Sequence, residues 1–175
     1  MNKREELKSA KFFVDWLNKK YGYNYMAISN DNENKSDTEI DIYATSNNMG
    51  LQPLNLQLVT SEGKMFKEFA LLRKKSKKTG NGVVRGNVID LDSMEWIKSA
   101  IELKEKKYPK DVKKSMVLLI QKDIWPLFDE SYFNNHFQNY KTSDFKGIYL
   151  VHTPKESSSH PHDGQILAIK GFKTN

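Results

Sequence analysis

Two stretches of alternating polarity decide the fold: Glu39-Ile40-Asp41-Ile42-Tyr43-Ala44 and Leu54-Asn55-Leu56-Gln57-Leu58-Val59. Alternation of apolar and polar residues is typical of β-strands that have one face in the core. The segment between the two stretches contains Asn47-Asn48-Met49-Gly50, and Asn and Gly residues favour a turn. The pattern therefore predicts a β-hairpin.

The two faces of this hairpin are expected to differ in character. Successive side chains of a strand point to opposite sides, so one face collects aliphatic residues and the other is mostly polar. The predicted core face consists of Ile40, Ile42, Leu54, Leu56 and Leu58. The opposite face, where we expect any chemistry to be located, consists of Glu39, Asp41, Asn55, Gln57 and Val59.

The segments around the hairpin predict a mixed β-sheet flanked by helices. Helical spacing of apolar residues predicts helices at residues 3–21 and 93–107. Short apolar runs joined by a helix-length segment are typical of buried parallel strands. We expect further strands at residues 116–121, 147–151 and 165–172. The sequence therefore predicts an α/β (α+β) fold.

The composition is that of a modestly basic globular protein. Of the 175 residues, 38% are hydrophobic and 29% are charged, and the net charge is +6. This length and hydrophobic content suit one continuous core, so we interpret residues 1–175 as a single domain. A positive net charge favours a polyanionic partner such as nucleic acid.

The sequence lacks the features of secreted and membrane proteins. The absence of cysteine excludes disulfide bonds and thiolate metal sites. The start of the chain lacks the apolar stretch of a secretory signal, and no apolar run approaches the roughly 18 residues that span a bilayer. We therefore expect a cytoplasmic protein that does not contact membranes.

Sequence motifs of several enzyme classes are also missing from the chain. There is no glycine-rich phosphate loop before a helix, no Gly-x-Ser-x-Gly turn and no His-Glu-x-x-His helix. These absences argue against nucleotide-hydrolysing P-loop enzymes, serine hydrolases and zinc proteases of those types.

The order of elements and acidic residues resembles the PD-(D/E)xK nuclease superfamily over roughly residues 3 to 121. A helix with an early Glu is followed by a strand with an Asp, a strand with an amide, a crossover helix and a buried strand. The resemblance implies a restriction-endonuclease-like fold with an αβββαβ core. It also implies hydrolysis of DNA phosphodiester bonds, in restriction or defence, with Mg²⁺ or Mn²⁺ as the cofactor.

The site residues of that family map onto this chain with two departures. In the family, an Asp and the Glu of an E-x-K tripeptide bind one or two Mg²⁺ ions, and the Lys positions or activates the attacking water. Asp41 matches the Asp, whereas Gln57 stands at the place of the Glu and Val59 at that of the Lys. Some branches add a Glu from the first helix, which corresponds here to Glu5 or Glu6.

The metal-site hypothesis follows from this mapping. Mg²⁺ prefers hard oxygen ligands, so Asp41 and Gln57 are the expected metal ligands and Glu39 is a further one. An amide in place of a carboxylate removes one negative charge from the site. Glu6 is the better catalytic candidate on the first helix, because it lies on the same side of the helix as the apolar residues. The alternative is that Glu6 is a solvated residue of the first turn, which the helix dipole favours.

The missing family lysine has a candidate replacement in Lys104. Its spacing places it on the apolar stripe of the second predicted helix, whereas the neighbouring Lys106 and Lys107 lie on other sides of that helix. The alternative interpretation of Lys104 is a long side chain that reaches water and stabilises the end of the helix dipole.

A basic segment after the hairpin is the expected nucleic-acid contact. Phosphate contacts by Lys and Arg would make DNA binding strongly salt-dependent, whereas a solvated loop is the alternative. The residues concerned are Arg73, Lys74, Lys75, Lys77, Lys78 and Arg85.

The two departures leave a second function open. Because Gln57 and Val59 differ from the family motif, the chain is alternatively a catalytically inactive nuclease-fold protein that binds nucleic acid or a protein partner. Whether it assembles into a homodimer or a larger complex is also open.

Overall fold

The computed structural model of the chain describes residues 3–30, 40, 42–60, 91–121, 130–154 and 164–172. These residues form a mixed sheet with helices on both faces, which confirms the predicted α/β (α+β) class. The helices are α1 (Lys3–Tyr21), α2 (Leu91–Lys107), α3 (Lys110–Lys113), α4 (Glu130–His136) and a 3-10 helix (Gln138–Thr142). The strands are β1 (Met26–Ser29), β2 (Ile42–Thr45), β3 (Leu54–Thr60), β4 (Met116–Gln121), β5 (Gly147–His152) and β6 (Gln165–Lys170).

The described strands form one six-stranded sheet in which the order in space follows the order in the chain, from β1 to β6. Strands β1, β2 and β3 pair antiparallel, so the predicted hairpin is present. Strands β3, β4 and β5 pair parallel, and β6 returns antiparallel to β5. Parallel neighbours require crossover connections, and α2 lies in the connection between β3 and β4.

Helix α1 covers one face of the sheet. Its apolar residues recur at helical spacing, so Ala10, Phe13 and Leu17 share one side and are buried. They pack in one cluster with strand residues that include Leu56 and Val117. The helix ends at Gly22, whose φ of +70° is a backbone conformation that glycine adopts without steric strain.

The other face of the sheet is covered by α2 and α4. Ile97 and Ile101 of α2 and Phe133 of α4 are fully buried. They form a second cluster with the alternate residues of the central strands, such as Leu118 and Leu150. The central parallel strands are therefore buried on both sides, which explains why β4 and β5 are almost entirely apolar.

One residue of the predicted hairpin packs on the opposite side from the one expected. Ile42, Leu54, Leu56 and Leu58 belong to the α1 cluster, as the alternation predicts. Ile40 belongs instead to the cluster under α2. The reason is that β2 begins at Ile42, and the alternation of sides applies only within a regular strand.

A polar contact fixes the first half of α1 over the carboxyl ends of the central strands. The buried Ser9 hydroxyl donates to Gln121 Oε1 at 2.7 Å. It also lies 2.8 Å from Thr153 Oγ1, in a second hydrogen bond. Gln121 ends β4 and Thr153 follows β5, so the Ser9 contact joins α1 to two strands that are remote in sequence.

Candidate functional site

Gln57 is a buried amide within the apolar layer between β3 and α2. Its parallel neighbour on β4 is Leu118, which belongs to the cluster under α2, so the Gln57 side chain points to the same side. The residue is 3% exposed. Its Oε1 accepts a hydrogen bond of 2.6 Å from the Tyr108 hydroxyl, and its Nε2 donates to the Leu58 carbonyl at 3.3 Å. Both ends of the amide are therefore engaged, as burial requires.

Lys104 lies on the inward side of α2, where the helical spacing predicts it. It is 9% exposed, whereas Lys106 and Lys107 are exposed. Its Nζ atom is 5.9 Å from the centre of the Tyr108 ring, within the range of a cation–aromatic attraction. Lys104 is therefore a charged side chain held at the edge of an apolar layer rather than one that extends into water.

Tyr108 brings Gln57 and Lys104 together. It directly follows α2, precedes Pro109 and is 4% exposed. Its hydroxyl contacts Gln57 and its ring contacts Lys104, so these three residues form what we term the Tyr108 cluster. Tyr108 is not among the site residues that the sequence predicts. The signal was present, because Tyr108 continues the spacing of Ile97, Ile101 and Lys104 on the inward stripe.

Val59 occupies an apolar environment on the same face as Gln57. It is half-buried and packs against the cluster under α2. Its parallel neighbour on β4 is the fully buried Ile120. Val59 therefore has a packing role in this chain.

Glu6 lies in the first part of α1, on the other side of the sheet from Gln57. It is half-buried, and Glu5 beside it is exposed. Helix α1 packs on the opposite face from the Tyr108 cluster. The structure therefore does not place Glu6 on the face that carries Gln57 and Lys104.

Several predicted site residues lie outside the described residues. These are the metal candidates Glu39 and Asp41, together with the basic segment Arg73, Lys74, Lys75, Lys77, Lys78 and Arg85.

A group of basic residues on α1 is described. Arg4, Lys8 and Lys11 are exposed and recur at helical spacing, so they form a stripe along the outer side of α1. We call this set the α1 basic stripe. Ser9 lies in the same segment of α1, on its buried side, and contacts the ends of β4 and β5, so this part of the helix lies over the carboxyl ends of those strands.

Two tyrosines outside the Tyr108 cluster have pKa values raised to about 12. Burial raises the pKa of Tyr149 to about 12, and burial together with the nearby Glu102 raises the pKa of Tyr140 to about 12. Both phenols are therefore neutral at pH 7. Tyr149 accepts a hydrogen bond from the Phe172 N–H, and Tyr140 donates to Glu102, so each has a structural role.

The described residues do not by themselves complete a metal site. Across these ranges, no group of three or more His, Cys, Asp or Glu side chains is placed to hold an ion. Gln57 offers one neutral oxygen, which is too little to hold Mg²⁺ alone. A metal site at this position would therefore need carboxylates from outside the described residues.

Comparisons with known proteins do not identify a relative. No family model matches the chain, and neither a curated protein nor a solved structure matches it. In the described part of the chain, no helix is both long enough and apolar enough to span a bilayer.

Proposed function

We propose that this chain is a metal-dependent nuclease of the restriction-endonuclease-like kind that hydrolyses DNA phosphodiester bonds in the cytoplasm. The observation that carries the proposal is the Tyr108 cluster. An amide from β3 and a lysine from the crossover helix each contact Tyr108, on the face to which the resemblance assigns the metal site. The element order α1, β1, β2, β3, α2 and β4 supports the proposal, because it follows the αβββαβ order of that family.

The position of Lys104 supports a role that involves negative charge. Its Nζ lies 5.9 Å from the centre of the Tyr108 ring, and the Tyr108 hydroxyl contacts Gln57. In the proposal, the phosphate of the bound DNA lies close to this amine. Lys104 then stabilises the negative charge that develops on the phosphate during attack by water.

The proposed metal ligands are Asp41, Glu39 and the Gln57 amide oxygen. A Mg²⁺ or Mn²⁺ ion held there would polarise the phosphate and lower the pKa of a bound water. The antiparallel register pairs Ile42 with Leu56, and Asp41 and Gln57 are the next residues along the two segments. Their position opposite each other is part of the proposal.

DNA contact is proposed for the α1 basic stripe and for the basic segment that includes Arg73 and Lys74. The stripe is carried by the segment of α1 whose Ser9 contacts the carboxyl ends of β4 and β5. In sheets with parallel strands, ligands commonly bind at that edge. Glu6 is on the other face of the sheet from Gln57, so it has no part in the proposed metal site.

The direct test is a cleavage assay of the unmodified chain on supercoiled and linear DNA. We expect nicking or cutting with Mg²⁺ or Mn²⁺ and none with a chelator, because the proposed reaction requires the ion. DNA binding without cutting in any divalent metal would overturn the proposal and favour the second candidate function.

The second candidate is a catalytically inactive nuclease-fold protein that binds DNA. The observation in its favour is that the Gln57 amide is already engaged at both ends, while Val59 is apolar. It predicts DNA binding that is independent of divalent metal and that weakens steeply as salt rises. Failure to bind DNA even at low salt would instead indicate a protein partner.

Replacing Gln57 by glutamate is expected to increase metal affinity by about tenfold, because it returns a carboxylate to the site. The same change should lower the melting temperature in the absence of metal, because a buried carboxylate is costly without a counterion. Mn²⁺ calorimetry and thermal unfolding measure the two effects. Gln121→Glu, a change of the same chemistry on β4, should leave Mn²⁺ affinity unchanged. Equal Mn²⁺ affinity of Gln57→Glu and the unmodified chain would contradict the proposed ligand role.

A further inference from the structure

We propose that the chain has a separate surface for single-stranded DNA, which stacks its bases on aromatic side chains at the carboxyl end of α1. The aromatic residues are Trp16, Tyr21 and Tyr23, which we call the aromatic platform, and Lys20 and Lys146 lie beside it. The inference goes beyond the proposed function, because it involves neither the metal site nor the α1 basic stripe.

The three rings of the platform are contiguous. The ring centres of Tyr21 and Tyr23 are 5.5 Å apart and their planes differ by 23°, so the two phenols are stacked. The Trp16 indole meets Tyr21 edge-on, with 6.3 Å between the ring centres. All three side chains are half-buried, so each keeps part of its surface in contact with solvent. Bases of any kind stack on such rings, because every base has an aromatic face.

The polar atoms of the platform are available to a ligand. The buried hydroxyl of Tyr25, which follows the platform, donates to a backbone carbonyl at 2.8 Å. Within the described residues, by contrast, no hydrogen bond uses the Trp16 indole N–H or the hydroxyls of Tyr21 and Tyr23. All three groups are donors, so they suit the oxygen atoms of a phosphate.

Two lysines add positive charge to the platform. Lys20 is exposed, and its Nζ lies 4.7 Å from the centre of the Trp16 ring and 5.4 Å from that of Tyr21. Lys146 is half-buried. Burial lowers the pKa of Lys146, and the nearby Tyr23 acts on this pKa in the opposite direction. Among the residues that the structure describes, neither ammonium group forms an ion pair with a carboxylate.

Rings beside cations that have no carboxylate indicate a ligand with flat bases and phosphates. A DNA duplex keeps its bases stacked inside and offers mainly phosphates to this surface, whereas a single strand offers both. An ammonium group at an exposed site is attracted only weakly to a ring, so a phosphate can draw Lys20 away and leave the Trp16 indole to a base. The platform therefore fits single-stranded DNA.

The platform is separate from the carboxyl edge of the central strands. Ser9 of α1 contacts the ends of β4 and β5, whereas Tyr21 is the last residue of the helix. At the helical rise of about 1.5 Å per residue, these two positions are about 18 Å apart. Lys146 directly precedes β5, so the platform lies near the amino end of that strand. DNA bound there does not occupy the proposed cleavage edge.

The test measures binding of a fluorescent oligo(dT) strand by anisotropy, at low salt and with a chelator present. We expect Tyr23→Leu to weaken binding about tenfold, because leucine keeps apolar bulk but offers no ring for stacking. Tyr23→Phe keeps the ring and should weaken binding much less. The matched control is Tyr43→Leu, since Tyr43 is also half-buried but packs under α2, on the other face of the sheet. Circular dichroism checks the fold of each variant.

The salt dependence of binding tests the two lysines. Lys20→Gln and Lys146→Gln should each lower the slope of log affinity against log salt by about 0.7, the value for one phosphate contact of a single strand. Lys106→Gln removes an exposed lysine from α2 and should leave the slope unchanged. Unchanged slopes in both Lys20→Gln and Lys146→Gln would contradict the proposed phosphate contacts.

Binding of a labelled duplex completes the test. Tyr23→Leu should leave duplex affinity unchanged, because paired bases do not reach the platform. Equal affinity of Tyr23→Leu and the unmodified chain for oligo(dT), or an equal loss for duplex and single strand, would overturn this inference even if the chain cuts DNA. An unmodified chain that cuts no DNA but binds oligo(dT) through Tyr23 would overturn the proposed function and support this inference.

Discussion

Replacing Lys104 by methionine is expected to lower the rate of DNA cleavage by about 100- to 1000-fold, the usual effect of removing one group that stabilises charge in a transition state. Methionine keeps the length of the side chain and suits the apolar layer around this position, so the fold should persist. Single-turnover cleavage at saturating Mn²⁺ measures the rate, and circular dichroism with thermal unfolding checks the fold.

The control for Lys104 is Lys107 on the same helix. Its Nζ is also close to the Tyr108 ring, at 5.4 Å, but the side chain is exposed. Lys107→Met should therefore cut at the rate of the unmodified chain. Introducing Val59→Lys into Lys104→Met should restore part of the rate, because it returns a lysine to the position that the family motif uses. Normal cleavage by Lys104→Met would show that its charge has no part in the reaction.

Replacing Asp41 by alanine is expected to remove detectable cleavage and Mn²⁺ binding together, because the proposal gives this residue the main anionic contact with the ion. Its neighbour Ile42 pairs with Leu56, which is why the proposal sets Asp41 beside Gln57. A cleavage assay over a range of Mn²⁺ concentrations and calorimetry with Mn²⁺ measure the two losses.

The control for Asp41 is Asp15→Ala, which removes an exposed carboxylate from α1. This control should retain both cleavage and Mn²⁺ binding. Cleavage by Asp41→Ala at the normal rate would remove the metal site from the proposal, whatever the other variants show.

Much of the architecture could be predicted because the apolar pattern of this chain is regular. The predicted helix at residues 3–21 matches α1, and the predicted helix at 93–107 begins two residues earlier, at Leu91. The all-apolar runs correctly indicated parallel strands covered on both sides, β4 and β5. The prediction for Ile40 is wrong because the alternation of sides holds within β2, and Ile40 precedes the first residue of that strand.

The candidate site was less predictable, because its contacts join residues that are distant in sequence. The alternation of β3 correctly set Gln57 on the face opposite Leu56, but it did not show that α2 buries that face. The helical stripe correctly predicted an inward Lys104. The bond between Tyr108 and Gln57 joins residues 51 positions apart, and no periodic pattern in either segment specifies it. The roles assigned to these residues stay predictions.

The sequential strand order has a consequence for how the chain is completed during synthesis. Each new strand emerging from the ribosome can dock beside the one made just before it, so the sheet can grow at one edge without rearrangement. Helix α1 is made before these strands, yet its Ser9 contact needs Gln121 and Thr153, which are made much later. The Ser9 contact is thus completed only after β5 has been translated.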